Sequence, residues 1–156
     1  MPAYISAELS GTNGASGSVL TTAPAGYKPR ATVQGGRVKR LRGTFTLSAT
    51  AVTTSDTLVI GTLPAGSTFA FGVITASATM GATATLAIGT TGATAKYRAA
   101  ATFTVADTPT MFGVNTAVGA ADPALSADEQ VFITIGAASL PTAGTLIVDL
   151  YYSAPN

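Results

Sequence analysis

Few side chains in this chain of 156 residues could carry acid–base chemistry. They are two Glu, five Asp, three Lys and five Arg, with no His and no Cys. Without His the chain lacks the commonest general base near neutral pH, and without Cys it has no thiolate metal ligand and no disulfide. The many Ser and Thr hydroxyls have no evident activating base, because a Ser-x-x-Lys spacing is absent. We therefore predict that the protein is not an enzyme.

The acidic residues are more typical of turns than of a catalytic or metal site. Asp107 lies in an Ala-Asp-Thr-Pro turn sequence, where the carboxylate accepts hydrogen bonds from nearby backbone. Asp122, Asp128 and Glu129 share one predicted loop and could bind Ca²⁺, but they lack EF-hand spacing. No phosphate-binding or dinucleotide-binding glycine motif is present. The sequence therefore predicts no catalytic residue, no cofactor and no metal.

Six of the eight basic residues lie between positions 28 and 42, and we call this group the basic cluster. Alternation of apolar and polar residues predicts that a strand begins at this cluster. Leu41, Phe45 and Leu47 lie on its core side, and Arg40 and Arg42 lie on its outer side. Contact with an acidic protein surface is the favoured role. Lys and Arg also protect edge strands from unwanted pairing, and a nucleic-acid contact is the least favoured role. The members are Lys28, Arg30, Arg37, Lys39, Arg40 and Arg42.

Residues 1–36 are rich in Gly and Pro and show no sustained periodicity. Apolar side chains nevertheless recur among them, whereas a solvated linker rarely carries such residues. We interpret 1–36 as an extended arm that lies along a partner, with a disordered tail as the alternative. The predicted partner interface combines the basic cluster with Tyr4, Ile5, Leu9 and Tyr27.

Residues 37–156 are predicted to form the folded domain. Runs with a period of two recur about eight times at roughly ten-residue spacing, which predicts an all-β fold. The expected architecture is an antiparallel β-sandwich or a small jelly-roll-like barrel. Residues 69–89 are predicted to form a hairpin whose register the sequence leaves open. Residues 95–103 are predicted to form a strand, with one helical turn as the alternative. The segment 115–129 is predicted to be a long loop.

Charge and hydropathy limit the partners. No apolar run approaches the roughly 20 residues needed to cross a bilayer, so we expect no membrane partner. Residues 1–98 hold eight basic and two acidic residues (net +6), and residues 99–156 hold five acidic residues (net −5). Such segregation favours contact between copies or with a larger scaffold. Tyr151 and Tyr152 could contact a partner or be buried in the sandwich.

Five segments carry a family resemblance. They are RVKRLRGT (37–44), TLPAGS (62–67), TATLAIG (83–89), AKYRAAATF (95–103) and AGTLIVDLYY (143–152). In these segments the chain resembles the head decoration, or cement, proteins of tailed bacteriophages. The resemblance implies a virion structural protein on the capsid exterior that is assembled in the host cytoplasm. It also implies that the protein is a homotrimer, binds the major capsid protein and stabilises contacts between its subunits.

Two other functions stay open. A receptor- or carbohydrate-binding module of a phage tail or fibre would suit a β-sandwich. Carbohydrate sites usually present exposed aromatic side chains, and the chain contains no Trp. A head–tail completion or tail protein would share the basic segment but would form a ring.

Overall fold

The computed structural model describes residues 37–48, 51–54, 56–113 and 124–154. They form eight strands, and no helix occurs among them. The strands pair in two antiparallel sheets, which confirms the predicted all-β sandwich class. The strands are β1 (Arg37–Leu47), β2 (Thr57–Leu63), β3 (Thr68–Ala76), β4 (Thr85–Thr90), β5 (Ala93–Thr102), β6 (Thr110–Phe112), β7 (Glu129–Gly136) and β8 (Gly144–Ala154).

Each sheet has four strands. The first has the order β1-β8-β3-β6 and the second the order β2-β7-β4-β5. Among strands consecutive in the chain, only β4 and β5 are paired neighbours, and every other connection crosses from one sheet to the other. β1 and β6 are therefore the edges of the first sheet, and β2 and β5 are the edges of the second.

The core lies between the two sheets and follows directly from the period-two alternation. Val131, Ile133 and Ile135 of β7 are almost fully buried, as are Leu146 and Val148 of β8. These side chains belong to one hydrophobic cluster although β7 and β8 lie in different sheets. Because side chains on a strand alternate between its faces, each strand presents one apolar row to the shared core.

The predicted hairpin at residues 69–89 is wrong. β3 pairs with β8 and β6, whereas β4 pairs with β7 and β5, so the two strands are interior strands of different sheets. Met80 and Ala84, in the connection between them, are buried, and the Met80 N–H donates to the Phe103 carbonyl at 2.9 Å. The connection covers the end of the core, a position that an exposed hairpin turn could not fill.

Residues 95–103 form most of β5, so the strand interpretation is confirmed over the helical turn. β6 is a short strand of three residues that ends at Phe112. Residues 115–123 of the predicted 115–129 loop lie outside the described residues. In the part of the chain that the structure describes, no helix is long and apolar enough to cross a membrane.

Candidate partner interface

The described half of the basic cluster lies on a sheet edge. Arg37, Lys39, Arg40 and Arg42 all belong to β1, and all four are exposed. Alternation along β1 places Arg40 and Arg42 on the outer face of the first sheet, opposite the core-side Leu41. The remaining predicted interface residues lie outside the described residues: Tyr4, Ile5, Leu9, Tyr27, Lys28 and Arg30.

Arg42 is bound within the molecule, a contact that the sequence interpretation missed. It lies opposite Asp149 of β8 in the β1–β8 register. Its Nε donates to Asp149 Oδ1 at 2.7 Å, and its Nη2 donates to Oδ2 at 2.6 Å. These hydrogen bonds, and then the negative charge of Asp149, raise the pKa of the Arg42 guanidinium. Alternation along β8 places Asp149 on the outer face, but only the strand register shows that its partner is Arg42.

Arg40 is held much more loosely. Its Nε lies 3.9 Å from Asp149 Oδ1, and half of its side chain is exposed. Both oxygens of Asp149 already accept hydrogen bonds from Arg42, so Arg40 keeps donors for another acceptor. The described residues show no ion pair for Arg37 or Lys39. β1 thus carries four cations, and in the described residues only Arg40 and Arg42 lie near a carboxylate, that of Asp149, so this edge has a net positive charge.

The charge segregation predicted from the sequence is partly cancelled inside the fold. The Arg42–Asp149 pair joins the basic N-terminal part of the chain to the acidic C-terminal part. Lys96 and Glu129 do the same, since Lys96 Nζ lies 2.5 Å from Glu129 Oε2. The Tyr97 hydroxyl donates to the other oxygen of Glu129. Among the described residues, most of the positive charge that has no close carboxylate partner therefore lies on β1.

The Ca²⁺ hypothesis gains no geometric support in the described residues. Asp128 Oδ1 accepts a hydrogen bond from the Ala65 N–H at 2.8 Å, and both oxygens of Glu129 have the partners given above. Asp122 lies outside the described residues. Across residues 37–48, 51–54, 56–113 and 124–154, no three acidic side chains are grouped so that they could hold a metal ion.

Arg98 binds backbone carbonyls of its own sheet. Its guanidinium donates to the Leu86 carbonyl, and to those of Ala101 and Thr102 at 3.2 and 3.4 Å. Burial lowers the pKa of this guanidinium. The contacts bridge β4 and β5 where the register between the two strands shifts, so Arg98 stabilises an irregular strand pair.

Chains from several phage capsids share this fold. A chain of the cyanophage Pam1 capsid asymmetric unit is 23% identical with a TM-score of 0.63, and the match covers 99% of this chain and 100% of that one. A chain from the capsid of Ralstonia phage GP4 is 21% identical with a TM-score of 0.55, over 78% of this chain and 86% of that one. The fold is thus one found in phage capsids.

A third chain with this fold also comes from a phage capsid. A chain from the acid-stable capsid of Helicobacter pylori bacteriophage KHP30 is 13% identical with a TM-score of 0.50, over 76% of this chain and 89% of that one. No protein-family model and no curated protein matches the chain. At 13–23% sequence identity, these three matches show a shared fold.

Proposed function

We propose that the protein is a non-enzymatic structural component of a phage virion that binds the outside of the capsid and stabilises contacts between major capsid protein subunits. The observation that carries this proposal is the end-to-end match with the Pam1 capsid chain, which covers 99% of one chain and 100% of the other. The strand order supports it, because we interpret β1-β8-β3-β6 against β2-β7-β4-β5 as an eight-stranded jelly roll, an architecture used in viral capsids.

The proposed attachment runs through β1. Arg37, Lys39 and Arg40 are exposed, and in the described part of the chain the carboxylate beside Arg40, that of Asp149, is already bound by Arg42. Residues 1–36 join the domain at Arg37, so the proposed arm and the positive edge meet at one place. An exposed ion pair contributes only about 0–1 kcal/mol, so the contact needs several pairs or apolar burial beside them.

A triple variant tests this attachment. Arg37→Ala, Lys39→Ala and Arg40→Ala are combined, and Arg42 is kept because its loss would also break the internal pair. Binding is titrated on purified capsids that lack this protein, at low and high salt. We expect wild-type binding to weaken as salt rises, since exposed charges are screened over about 8 Å at physiological ionic strength. The triple variant should bind several-fold more weakly at low salt.

The matched control keeps every charge: Arg37→Lys, Lys39→Arg and Arg40→Lys. It should bind nearly as well as the wild type. If the wild type does not bind capsids, the proposed function is wrong. If it binds and the Ala variant binds equally well at both salt concentrations, the cluster only protects the β1 edge, and the proposed arm becomes the main attachment.

Copy number separates this function from the two alternatives. A decoration protein occurs in many copies spread over the capsid, whereas a tail, fibre or completion protein occurs in a small ring or cluster. Quantitative mass spectrometry of purified particles measures the ratio to the major capsid protein. The homotrimer implied by the resemblance stays a prediction, and analytical ultracentrifugation of the free protein tests it.

A further inference from the structure

The outer face of the first sheet carries aromatic side chains beside Arg40. In the strand register, Arg40 of β1, Tyr151 of β8 and Phe71 of β3 lie opposite one another in one row. The rings of Phe71 and Tyr151 are stacked, with centroids 4.7 Å apart and planes 19° from parallel. Both side chains are only partly buried.

Apolar side chains continue this surface to both edges of the sheet. Val73 of β3 lies opposite Met111 of β6, and Met111 is 69% exposed. On the other edge, Val38 of β1 is 68% exposed and, two positions from Arg40, lies on the same face. We call Val38, Phe71, Val73, Met111 and Tyr151 the apolar stripe.

The packing of Phe112 confirms which way Met111 points. A Cβ atom on Gly72 would lie 2.1 Å from the Phe112 ring, so that ring occupies the space beside the inward face of β3. Phe112 also packs against the hydrophobic core. Because neighbouring residues on a strand point to opposite faces, Met111 points outward.

We propose that the apolar stripe is the centre of the capsid contact, where it receives an apolar side chain of the shell protein while Arg40 binds a carboxylate next to it. This inference rests on the proposed function and adds the surface and the chemistry of its partner. Charge selects an acidic partner, because on this face Arg40 and Arg42 share the single carboxylate of Asp149, which leaves a net positive charge beside the stripe. A symmetric contact with a second copy would bring two such positive edges together.

The stripe is large enough to be a contact centre but not a complete interface. Neighbouring strands lie about 4.8 Å apart, so four strands span roughly 15 Å. A stable interface buries about 800 Å² on each partner, which is several times more than such a stripe can supply. Tyr and Arg are enriched among residues that dominate binding energy, and such residues lie at interface centres within a polar rim. Arg40 and the Arg42–Asp149 pair, on the same face as the stripe, would form part of that rim.

The test uses single variants, each of which introduces one carboxylate on the outer face of one sheet. Met111→Asp changes the stripe, and Val59→Asp is the matched control on the outer side of β2 in the second sheet. Both side chains are well exposed, at 69% and 49%, so neither change should lower the melting temperature appreciably. Val38→Asp, 68% exposed on the opposite edge of the stripe, is a second stripe variant, which also places a carboxylate beside the β1 cations.

Capsid affinity is measured for the four proteins on purified capsids that lack this protein. We expect Met111→Asp and Val38→Asp each to weaken binding by about tenfold or more, as for residues at an interface centre. Val59→Asp, with the same change in net charge, should bind like the wild type. Sedimentation of the free proteins should show one common oligomeric state.

Three results would overturn the inference. If the wild type binds and both stripe variants bind as tightly as Val59→Asp, the inference alone is wrong. If Met111→Asp changes the oligomeric state of the free protein, the stripe contacts a second copy instead of the shell. If the wild type itself does not bind capsids, the proposed function is wrong, and the inference that rests on it is wrong as well.

Discussion

Arg42 and Asp149 lie 107 residues apart in the chain, and their side chains form a double hydrogen-bonded ion pair across β1 and β8. Only 9% of the Asp149 side chain is exposed, whereas 45% of the Arg42 side chain is. The pair links the edge strand of the first sheet to its neighbour through side chains as well as backbone. It also occupies the carboxylate that would otherwise neutralise Arg40.

Replacing Arg42 by Ala is expected to lower the melting temperature more than replacing Arg40 by Ala. The first change leaves a nearly buried carboxylate with only a loose contact, whereas the second leaves both strong hydrogen bonds in place. Arg42→Lys should be intermediate, because an ammonium cannot form the two parallel bonds of a guanidinium. Thermal unfolding followed by circular dichroism measures the order, and an equal effect of both Ala variants would contradict it.

Gly72→Ala should destabilise the domain by about 1–3 kcal/mol, the usual cost of adding a methyl group to a packed core. The new Cβ would lie 2.1 Å from Phe112 Cζ, so the Phe112 ring must shift. Gly113→Ala is the control, because its nearest neighbour, Phe69 Cε1, is 3.9 Å away. Urea unfolding gives the free energies. Equal stability of the two variants would show that Phe112 does not pack on Gly72.

Asp56 should make stability depend on pH. Its carboxylate accepts hydrogen bonds from the Thr53 N–H at 2.7 Å and from the Thr53 hydroxyl at 2.9 Å. The backbone bond, and then the hydroxyl bond, lower the pKa of Asp56 below its usual 3.8. A lowered folded-state pKa adds stability above the unfolded-state value, and this stability is lost as pH falls through the folded-state pKa.

The matching experiment compares the wild type with Asp56→Ala at several pH values. We expect the wild type to be more stable near pH 6, and we expect the difference in melting temperature to shrink steadily below about pH 4. A difference that stays constant down to about pH 2 would show that ionisation of Asp56 does not contribute.

Removing residues 1–30 should leave the domain folded but weaken its attachment to capsids. Ordering a backbone residue costs about 1–2 kcal/mol, so an arm with scattered apolar residues needs an extended partner surface to offset that cost. Circular dichroism checks folding, and capsid titration checks attachment. If the truncated protein binds capsids as tightly as the whole chain, residues 1–30 are a tail without a role in attachment.

Much of the local structure could be predicted from the pattern of apolar and polar residues within each strand. The period-two pattern in β1 placed Leu41 and Phe45 towards the core and Arg40 and Arg42 outward, and the structure confirms this arrangement. Alternation is a local property, because successive side chains on any strand point to opposite faces. The lack of His and Cys is likewise a property of the sequence alone.

Only the tertiary structure decided which strands are neighbours. Alternation assigns a face to each residue but does not name the partner strand, so β3 and β4 looked like a hairpin although they belong to different sheets. The Arg42–Asp149 pair and the stacked rings of Phe71 and Tyr151 depend on the pairing of β8 with β1 and β3. Such pairings join residues far apart in sequence, and they are selected by the burial of all eight strands around one core.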